Sequence, residues 1–517
     1  MSDAAALPGP APSASTDARS FARARGALGI LAFALVVRAA VFPFADNKHG
    51  DAPMRVLIAE RLAHDAAAAA SPRTYYQFGP LHPALLAPLV ALGGDPSRTT
   101  RAFSLVVGLL TFLPFLRLAR RLVGEARAEL AALGLAASPL AVQASTTSAS
   151  EALYLLLFVA MLERLTRALE DDAAPLGPFA AAGALASLAA VTRYDAWIAL
   201  PATVAAAWLF ARGPAGPARA RRARGLAVFA ALAAALPAAW MAWGARATDD
   251  PLYFFHYISR DHAQLAASAL ARYGAALGRA RQLGIWSLAF LAAMTPPLAL
   301  AAVVAAVRAR HGAGDARARG LMGVVLVAGL APVAVYLAQG LVRLGFEPLP
   351  RFALVPGALL LPLAATAFSE ARLAAARAAV PLSGLAFAAV VLVVAGVGGE
   401  RRWGGAESMG ALTRLDAEDR ALAAYLRAHR AAGERVMIEP LAFDEIAIAA
   451  AAGVPQVDAV TLVQTREPAG TVAETLRATG ARWIAAHDDG RPAAWTKRLP
   501  DWPADALELG RWRLIHR

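Results

Sequence analysis

Long apolar runs separated by short arginine-rich breaks dominate this 517-residue sequence. A helix needs roughly 17 to 25 apolar residues to cross about 30 Å of hydrocarbon, and the runs repeat at lengths near that range. The spacing of charged and turn-rich breaks therefore predicts about eleven transmembrane helices. The predicted spans are 26–44, 100–118, 128–143, 151–167, 177–192, 195–211, 225–244, 284–307, 320–340, 352–368 and 380–398.

The distribution of arginine predicts how these spans are oriented. With the N-terminus in the cytoplasm, every arginine-rich break falls on the inside, as the positive-inside rule requires. Eleven crossings then leave two long loops, 45–99 and 245–283, and the last segment on the outside. The first loop holds two weakly apolar stretches, 55–70 and 80–93, which we expect to form helices lying in the membrane interface.

Composition changes at both ends of the chain predict two further units. Residues 1–25 are rich in Ala, Ser and Pro and are predicted to be a disordered cytoplasmic N-terminus. Residues 26–400 are predicted to be the transmembrane domain. Residues 401–517 combine an amphipathic stretch with strand-like runs, which predicts a small soluble α/β domain on the periplasmic side.

Overall composition supports a membrane protein and excludes several chemistries. Hydrophobic residues make up 58% of the chain and charged residues 17%, and the mean hydropathy is +0.48. The net charge of +13 belongs mostly to short loops, and no basic stripe interleaved with aromatics indicates nucleic acid. We therefore expect no nucleic-acid partner. The absence of cysteine excludes disulfides, thiolate nucleophiles and zinc-thiolate sites.

The first outer loop opens with polar residues that could carry chemistry. Asp46, His49 and Asp51 follow directly after the span that carries Arg38 near its outer end. Two carboxylates at the mouth of a helix could form a general-base pair. A loop that leaves a membrane is also polar simply because it meets water, so both interpretations stay open.

Two further charged positions stand at the ends of apolar runs. Glu151 begins a span, where the helix N-terminus stabilises a carboxylate; alternatively it forms a capping box with Ser148. Arg193 interrupts an apolar stretch of more than thirty residues. It either snorkels towards the surface with Asp195 as its partner or points into a cavity.

Three arginines on the predicted outside run against the usual charge bias. Arg260 lies beside His256 in an aromatic stretch, and Arg343 and Arg351 lie between the ninth and tenth spans. An anionic phosphate at the bilayer surface would account for them, and so would salt bridges at the rim.

The order of these features resembles the GT-C superfamily of polyprenyl-phosphate-dependent glycosyltransferases, nearest to the protein O-mannosyltransferase and lipid A aminoarabinose transferase branch. The matching text is Arg38, then Gly50-Asp51-Ala52 with its following helix, the aromatic and proline stretch 75–83, Ser150-Glu151, and Arg351-Phe352. The resemblance implies a polytopic α-helical membrane protein with about eleven transmembrane helices and a small C-terminal soluble α/β domain. Ala52 replaces a second acidic residue of many members, and 77–79 lacks the lysine of the aminoarabinose branch.

The resemblance also implies an activity. A hexosyl- or pentosyltransferase would move a sugar from a polyprenyl-phosphate donor to a lipid, glycan or protein acceptor, with inversion, in a bacterial inner membrane. Asp51 would be the general base. The other implied roles are donor-phosphate binding by Arg351, Arg343 and Arg260, a position near the acceptor or a metal for Glu151, His256, Asp46 and His49, and cavity lining by Arg38, Arg193 and Tyr76. Asp51, Glu151 and His256 together leave a divalent-metal site open.

Two functions of other classes compete with this interpretation. A multi-span transporter or lipid flippase would show internal repeats with paired broken helices, and the sequence has none at matching positions. A non-enzymatic scaffold of the cell envelope would not need Asp51, Glu151 and the outside arginines to converge. Their meeting in one cavity would therefore favour an enzyme over a scaffold.

Overall fold

The computed structural model describes residues 16–517 except 46, 48–50, 172, 174, 213–215, 310–315, 347, 399–414, 440–443, 456–457, 461–470, 489–494 and 500. Most of the described chain is helical. The first nine helices are α1 Thr16–Val41, α2 Ala52–His64, α3 Ala66–Ala69, α4 Leu81–Ala91, α5 Pro96–Leu110, α6 Phe112–Val123, α7 Glu125–Ala137, α8 Pro139–Thr146 and α9 Glu151–Glu170.

Eight more helices complete the apolar part of the chain. Two of them begin at a proline, whose missing N–H costs nothing in the first helical turn. The helices are α10 Leu176–Ala190, α11 Asp195–Ala211, α12 Pro217–Thr248, α13 Tyr253–Met294, α14 Pro296–Ala309, α15 Ala316–Leu337, α16 Leu354–Ala365 and α17 Glu370–Gly398.

The chain is a multi-pass membrane protein. In the part of the chain that the structure describes, five helices are long and apolar enough to cross a membrane, and a bent helix pair could supply a sixth span. Shorter apolar helices of 10–17 residues accompany them, and at 1.5 Å per residue each is shorter than the hydrocarbon core. The count of eleven crossings and the sidedness of the loops stay predictions. The five long helices are Ala24–Phe44, Pro96–Val123, Pro217–Thr248, Ala316–Val342 and Glu370–Val390.

Two of the spans expected from the sequence are broken. The run 128–143 divides at Ser138, whose hydroxyl accepts the N–H of Ala141 and starts α8. The run 284–307 bends by 103° at Thr295, directly before Pro296. Proline removes a helical hydrogen bond and clashes with the preceding turn, which explains both positions. The Ser138 hydroxyl also donates to the Ala292 carbonyl at 3.0 Å, so the two breaks are in contact.

Buried arginines hold the helix ends around these breaks. Arg38 donates to the carbonyl of Ala136 near the end of α7 at 3.2 Å and to Ser145 Oγ at 3.0 Å. Arg101 donates to the carbonyl of Thr146, the last residue of α8, at 2.8 Å. The last carbonyls of a helix have no partner within it and carry partial negative charge. The arginines therefore fix the segment that leads into α9.

The last part of the chain forms a five-stranded sheet with the order β2-β1-β3-β5-β4. The central strand β3 is parallel to β1 and antiparallel to β5. The strands are β1 Arg435–Ile438, β2 Ala459–Val460, β3 Ala481–His487, β4 Leu507–Leu509 and β5 Trp512–His516, and the helices are α18 Ala417–His429, α19 Asp444–Ala451, α20 Val472–Thr479 and α21 Trp495–Arg498.

This sheet-containing part packs against the first outer loop. Helix α19 contacts α2, and one apolar cluster contains residues from both, including Leu57 and Ile58 from α2 and Ile446 and Ala449 from α19. Helix α2 also packs against α4. The start of α2 is thus held between the membrane part and the sheet-containing part. The division of the chain at residues 25 and 400 stays a prediction, and α1 begins inside the predicted disordered stretch.

Candidate functional site

Asp51 stands at the N-terminal end of α2 and is buried there. Its carboxylate accepts a hydrogen bond from Arg55 Nε at 2.6 Å, and Arg55 is buried as well. The two residues are four apart at the start of a helix, the spacing at which side chains meet on one face. Pro53 lies within the first turn of α2. Proline has no backbone N–H, and an N–H at this position would have no partner within the helix.

Arg351 reaches the same carboxylate from a segment 300 residues further along the chain. It lies in the single-turn 3₁₀ helix Pro350–Ala353, which leads directly into α16. Its Nη1 donates to Asp51 Oδ1, and its Nε lies 3.6 Å from Glu151 Oε1. Arg351 therefore bridges two carboxylates that come from different helices.

Glu151 extends this network to the hairpin between α10 and α11. Glu151 forms an ion pair with Arg193, whose Nε also donates to Asp195 Oδ2 at 2.8 Å. The hydroxyl of Tyr336 donates to Asp195 Oδ1 at 2.6 Å. Arg193 thus pairs with Asp195, and it also lines a cavity beside these residues. The capping alternative for Glu151 is not formed, because Ser150 occupies the cap position without a side-chain hydrogen bond.

The network joins three carboxylates and three guanidinium groups in a buried environment. Burial alone would raise the pKa of Asp51, but the positive charges of Arg55, Arg351 and Arg193 outweigh it and hold the pKa well below its usual range. Removing one member of a buried ion pair typically costs about 3–5 kcal/mol, because its partner is left uncompensated. The members of this network therefore hold one another in place.

A cavity of about 140 Å³ opens beside the network. The lining combines charged groups with an aromatic wall, in which Phe346 stacks on His262 with centroids 4.4 Å apart and on Tyr336 at 4.7 Å. Such a cavity, apolar with a few convergent charged groups, is typical of a ligand-binding site. The charged lining residues are Asp51, Arg55, Arg193, Asp195 and Arg351.

The segment that follows Tyr76 forms one wall of this cavity. Gln77, Phe78 and Gly79 line it, and the guanidinium of Arg55 lies over the Phe78 ring at 4.8 Å. Gly79 approaches the backbone of the hairpin so closely that an added Cβ would lie 2.8 Å from the Thr192 carbonyl oxygen. Glycine is therefore required at this position by space.

Three residues expected at the donor phosphate or acceptor do not line the cavity. Arg343 and Arg260 are exposed, and Arg260 lies over the ring of Tyr257 at 5.7 Å. His256 is exposed and bonds Asp250 at 2.6 Å. The metal site suggested by Asp51, Glu151 and His256 is consequently not assembled, and the described residues contain no group of three His, Asp or Glu side chains suited to a metal.

The remaining expected residues lie elsewhere. Arg38 lines a separate space of about 10 Å³ inside the helix bundle. Tyr76 lines a different cavity, formed by residues 61–76 of the same loop. Asp46 and His49 lie outside the described residues.

The sequence reasoning missed three members of the site. Arg55 carried a usable signal, because it stands four residues after Asp51 in a predicted helix. Tyr336 and Phe346 carried none, since an aromatic residue at the end of an apolar run is far more often a packing residue.

Comparisons with known proteins show which family and which fold this chain resembles. The sequence model of the family described as dolichyl-phosphate-mannose-protein mannosyltransferase matches residues 77–243. No curated protein matches the chain. Among solved structures, ArnT from Cupriavidus metallidurans bound to undecaprenyl phosphate is similar with a TM-score of 0.58 and 13% identity, covering 97% of this chain and 98% of ArnT.

An oligosaccharyltransferase offers a second structural comparison. The Archaeoglobus fulgidus enzyme, in complex with Zn and sulfate, is similar with a TM-score of 0.56 and 13% identity, over 89% of this chain and 68% of that protein. A structure of AglB from the same organism, with an inhibitory peptide and a dolichol-phosphate, gives a TM-score of 0.54 and 14% identity, over 89% of this chain and 69% of AglB. At these identities the likeness establishes the fold.

Proposed function

We propose that this chain is a glycosyltransferase of the GT-C superfamily, which transfers a sugar from a polyprenyl-phosphate donor to an acceptor, with inversion, at the periplasmic face of a bacterial inner membrane. The observation that supports this most is the meeting of Asp51, Glu151, Arg193 and Arg351 beside one cavity. A scaffold would not require that convergence. The donor class follows from the family that matches residues 77–243 and from the polyprenyl phosphates bound in the similar structures.

Asp51 is the general base in the proposed reaction. It takes the proton from an acceptor hydroxyl or amine while that atom bonds to the anomeric carbon, and the bond between that carbon and the phosphate oxygen breaks. One direct displacement inverts the anomeric configuration. The electron pair leaves with the polyprenyl phosphate, and a guanidinium in a water-poor cavity stabilises the charge that develops there.

Arg351 changes partner during this reaction. In the structure Asp51 is bonded to both Arg55 and Arg351, and a carboxylate so strongly paired is a weak base. The donor phosphate competes with Asp51 for Arg351, since guanidinium binds phosphate with two parallel hydrogen bonds. Donor binding would then raise the pKa of Asp51 and prepare it to accept a proton. The donor consequently binds before the acceptor reacts.

Glu151, Arg193 and Asp195 act as positioning residues for Arg351. Glu151 lies 3.6 Å from Arg351 Nε and is itself paired with Arg193, which Asp195 holds. When Arg351 leaves Asp51 for the phosphate, Glu151 keeps the guanidinium at the cavity. This arrangement limits the movement of Arg351 to an exchange between neighbouring acceptors.

A transfer assay tests the proposal. The purified full chain is incubated with a panel of radiolabelled polyprenyl-phosphate sugars and a solubilised bacterial envelope fraction that supplies acceptors. Label should move from at least one lipid donor into product, with release of polyprenyl phosphate, and Asp51→Asn should reduce that rate by at least about 100-fold.

Asp249→Asn is the matched control for this variant. Asp249 is an exposed aspartate in the left-handed region, where asparagine is well tolerated, and it does not line the cavity. Its transfer rate should equal that of the unmodified protein. Normal turnover by Asp51→Asn would rule out the base, and no transfer from any donor in the panel would rule out the proposed activity.

A further inference from the structure

A second, larger cavity of about 390 Å³ lies beside the first outer loop, and the proposed reaction does not use it. It is formed where α2 ends and the chain turns through α3 towards Tyr76. Its lining is strongly polar, with two arginines, one carboxylate and three hydroxyl groups. The lining residues are Arg61, Asp65, Ala67, Ala68, Ser71, Arg73, Thr74 and Tyr76.

The two guanidinium groups in this cavity retain much of their binding capacity. Arg61 Nε is shielded from solvent, forms no hydrogen bond, and lies 3.7 Å from Asp65 Oδ2. Arg73 is exposed and donates from Nη2 to the carbonyl of Ala247 at 3.0 Å. Asp65 is partly engaged elsewhere, because its Oδ1 accepts the N–H of Ala68 at 3.0 Å. The lining therefore carries a net positive charge and suits an anion.

Tyr76 separates this cavity from the catalytic one. It lines the larger cavity, whereas the next residue, Gln77, lines the cavity that contains Asp51. Its backbone has φ +50° and ψ −120°, a conformation that typically costs about 1–3 kcal/mol and persists only where the surroundings impose it. Consecutive residues of the chain thus line the two cavities.

Helix α2 links the two cavities along its length. Arg55 lines the catalytic cavity and Arg61 lines the larger one, six residues or about 9 Å further along the helix axis. Six residues also turn the side chains by about 120° around the helix axis, so an acceptor that places a nucleophile at Asp51 and an anionic group at Arg61 and Arg73 has to pass around α2 and extend beyond about 10 Å. In the proposed reaction the donor reaches Asp51 from the lipid, whereas residues 61–76 of the loop 45–99 form this cavity.

We propose that the cavity bounded by Arg61, Arg73 and Tyr76 binds the anionic group, a phosphate or a carboxylate, of the sugar acceptor. That the anion belongs to a sugar acceptor rests on the proposed function, whereas the anion site itself does not depend on that function. Charge-assisted hydrogen bonds from two guanidiniums supply the affinity. The hydroxyl of Ser71 supplies a further hydrogen-bond donor to the same group, whereas the Thr74 hydroxyl already donates to the Ala68 carbonyl at 2.8 Å.

Binding of radiolabelled inorganic phosphate to the purified full chain tests the site. The double variant Arg61→Gln/Arg73→Gln should bind phosphate at least about tenfold more weakly. Arg98→Gln, which replaces an arginine that lines neither cavity, should bind it normally. Saturation of the chain with undecaprenyl phosphate should leave the binding in place, because that lipid occupies the catalytic cavity. Competition by glucose 1-phosphate or by glucuronate identifies which anionic group the site prefers.

The outcomes separate this inference from the proposed activity. Asp51→Asn should keep phosphate binding while it loses transfer. No phosphate binding at millimolar concentration, equal binding by the double variant, or loss of binding on addition of undecaprenyl phosphate would overturn the site. Once the donor panel has identified a productive reaction, the double variant should raise the KM for the acceptor and leave the KM for the donor unchanged. Arg61→Lys/Arg73→Lys should restore part of the acceptor affinity.

Discussion

In the proposed reaction two anions compete for the guanidinium of Arg351: the carboxylate of Asp51 and the phosphate of the donor. Asp51→Asn removes the competing charge while keeping the shape of the side chain. It should therefore bind undecaprenyl phosphate more tightly, by roughly 3- to 30-fold, or about 1–2 kcal/mol. Titration of the purified variants with undecaprenyl phosphate measures the effect.

Two further variants make this result interpretable. Arg351→Gln should bind undecaprenyl phosphate more weakly than the unmodified protein, and Asp249→Asn should be unchanged. Equal or weaker binding by Asp51→Asn would show that Asp51 does not compete for Arg351. The exchange of partners would then have to be abandoned, although Asp51 could still act as the base.

The depressed pKa of Asp51 predicts a pH dependence with a definite sign. The folded pKa lies below the ordinary value of about 3.9, so the ion pairs stabilise the fold above that value and this contribution is lost as pH falls through the folded pKa. Asp51 in the free protein thus stays ionised at mildly acidic pH. In the proposed reaction, donor binding takes Arg351 away from Asp51 and thereby raises the pKa of Asp51.

Steady-state rates between pH 4 and pH 8 test this difference. The ratio kcat/KM for the donor reports the free protein, and kcat reports the substrate complex. We expect kcat to fall on the acidic side at a higher pH than kcat/KM does. Coincident acidic limbs would contradict a donor-induced change at Asp51.

Part of the site was predictable because its charged residues lie within or beside long apolar runs of the sequence. Asp51, Glu151, Arg193 and Arg351 stood out because an ionised side chain beside a membrane span needs a partner. Arg260 and Arg343 carried the same signal, yet both are exposed, because the sequence does not tell which face of a helix or loop a side chain occupies. Asp195 was expected only as a partner of Arg193, and the structure gives it Tyr336 as well.

At the scale of elements, the wall 77–79 sets the width of the catalytic cavity. Gly79→Ala would place a Cβ 2.8 Å from the Thr192 carbonyl oxygen, so the wall or the hairpin would have to move. Overpacking of this kind costs about 1–3 kcal/mol. We expect the transfer rate to fall by about tenfold or more, since small displacements of catalytic groups reduce rates strongly.

Gly278→Ala provides the matched control for Gly79→Ala. Gly278 lies in α13, where an added Cβ meets nothing within 4 Å. Alanine there should leave the transfer rate unchanged and should not lower the thermal midpoint, because alanine favours a helix over glycine. Unchanged transfer by Gly79→Ala would show that the wall has more freedom than its contacts indicate.

The breaks at Ser138 and Thr295 show why element boundaries were harder to predict than elements. Both are followed by proline, a signal visible in the sequence. The apolar runs nevertheless continue through these points. Hydropathy reports the composition of a run and not the direction of the helix axis, so it does not reveal a bend. The contact between Ser138 and Ala292, 154 residues apart, is a tertiary feature that no local pattern contains.

At the scale of the whole molecule, composition and periodicity were sufficient to predict a multi-pass helical membrane protein. The order of motifs along the chain predicted a resemblance to the GT-C superfamily, and the family model that matches residues 77–243 and the fold of the similar structures support it. The contact between α19 and α2 lay beyond prediction. It joins segments almost 400 residues apart, and the amphipathic patterns of both helices are compatible with many partners.

That long-range contact predicts that the sheet-containing part stabilises the catalytic loop. Helix α2 has thirteen residues, a length at which an isolated helix is marginal in water, and residues 52–59 are buried by packing. Deletion of 415–517 removes α19 and exposes Leu57 and Ile58, which share its apolar cluster. Amide hydrogen exchange in α2 should then speed up by at least about tenfold, and transfer should fall because Asp51 and Arg55 lose their fixed positions. Exchange in α9, which shares no apolar cluster with the described residues of the deleted part, serves as the internal control for a folded membrane region. Unchanged protection of α2 in the shortened chain would mean that packing against α4 alone holds the helix, and that the C-terminal part acts elsewhere.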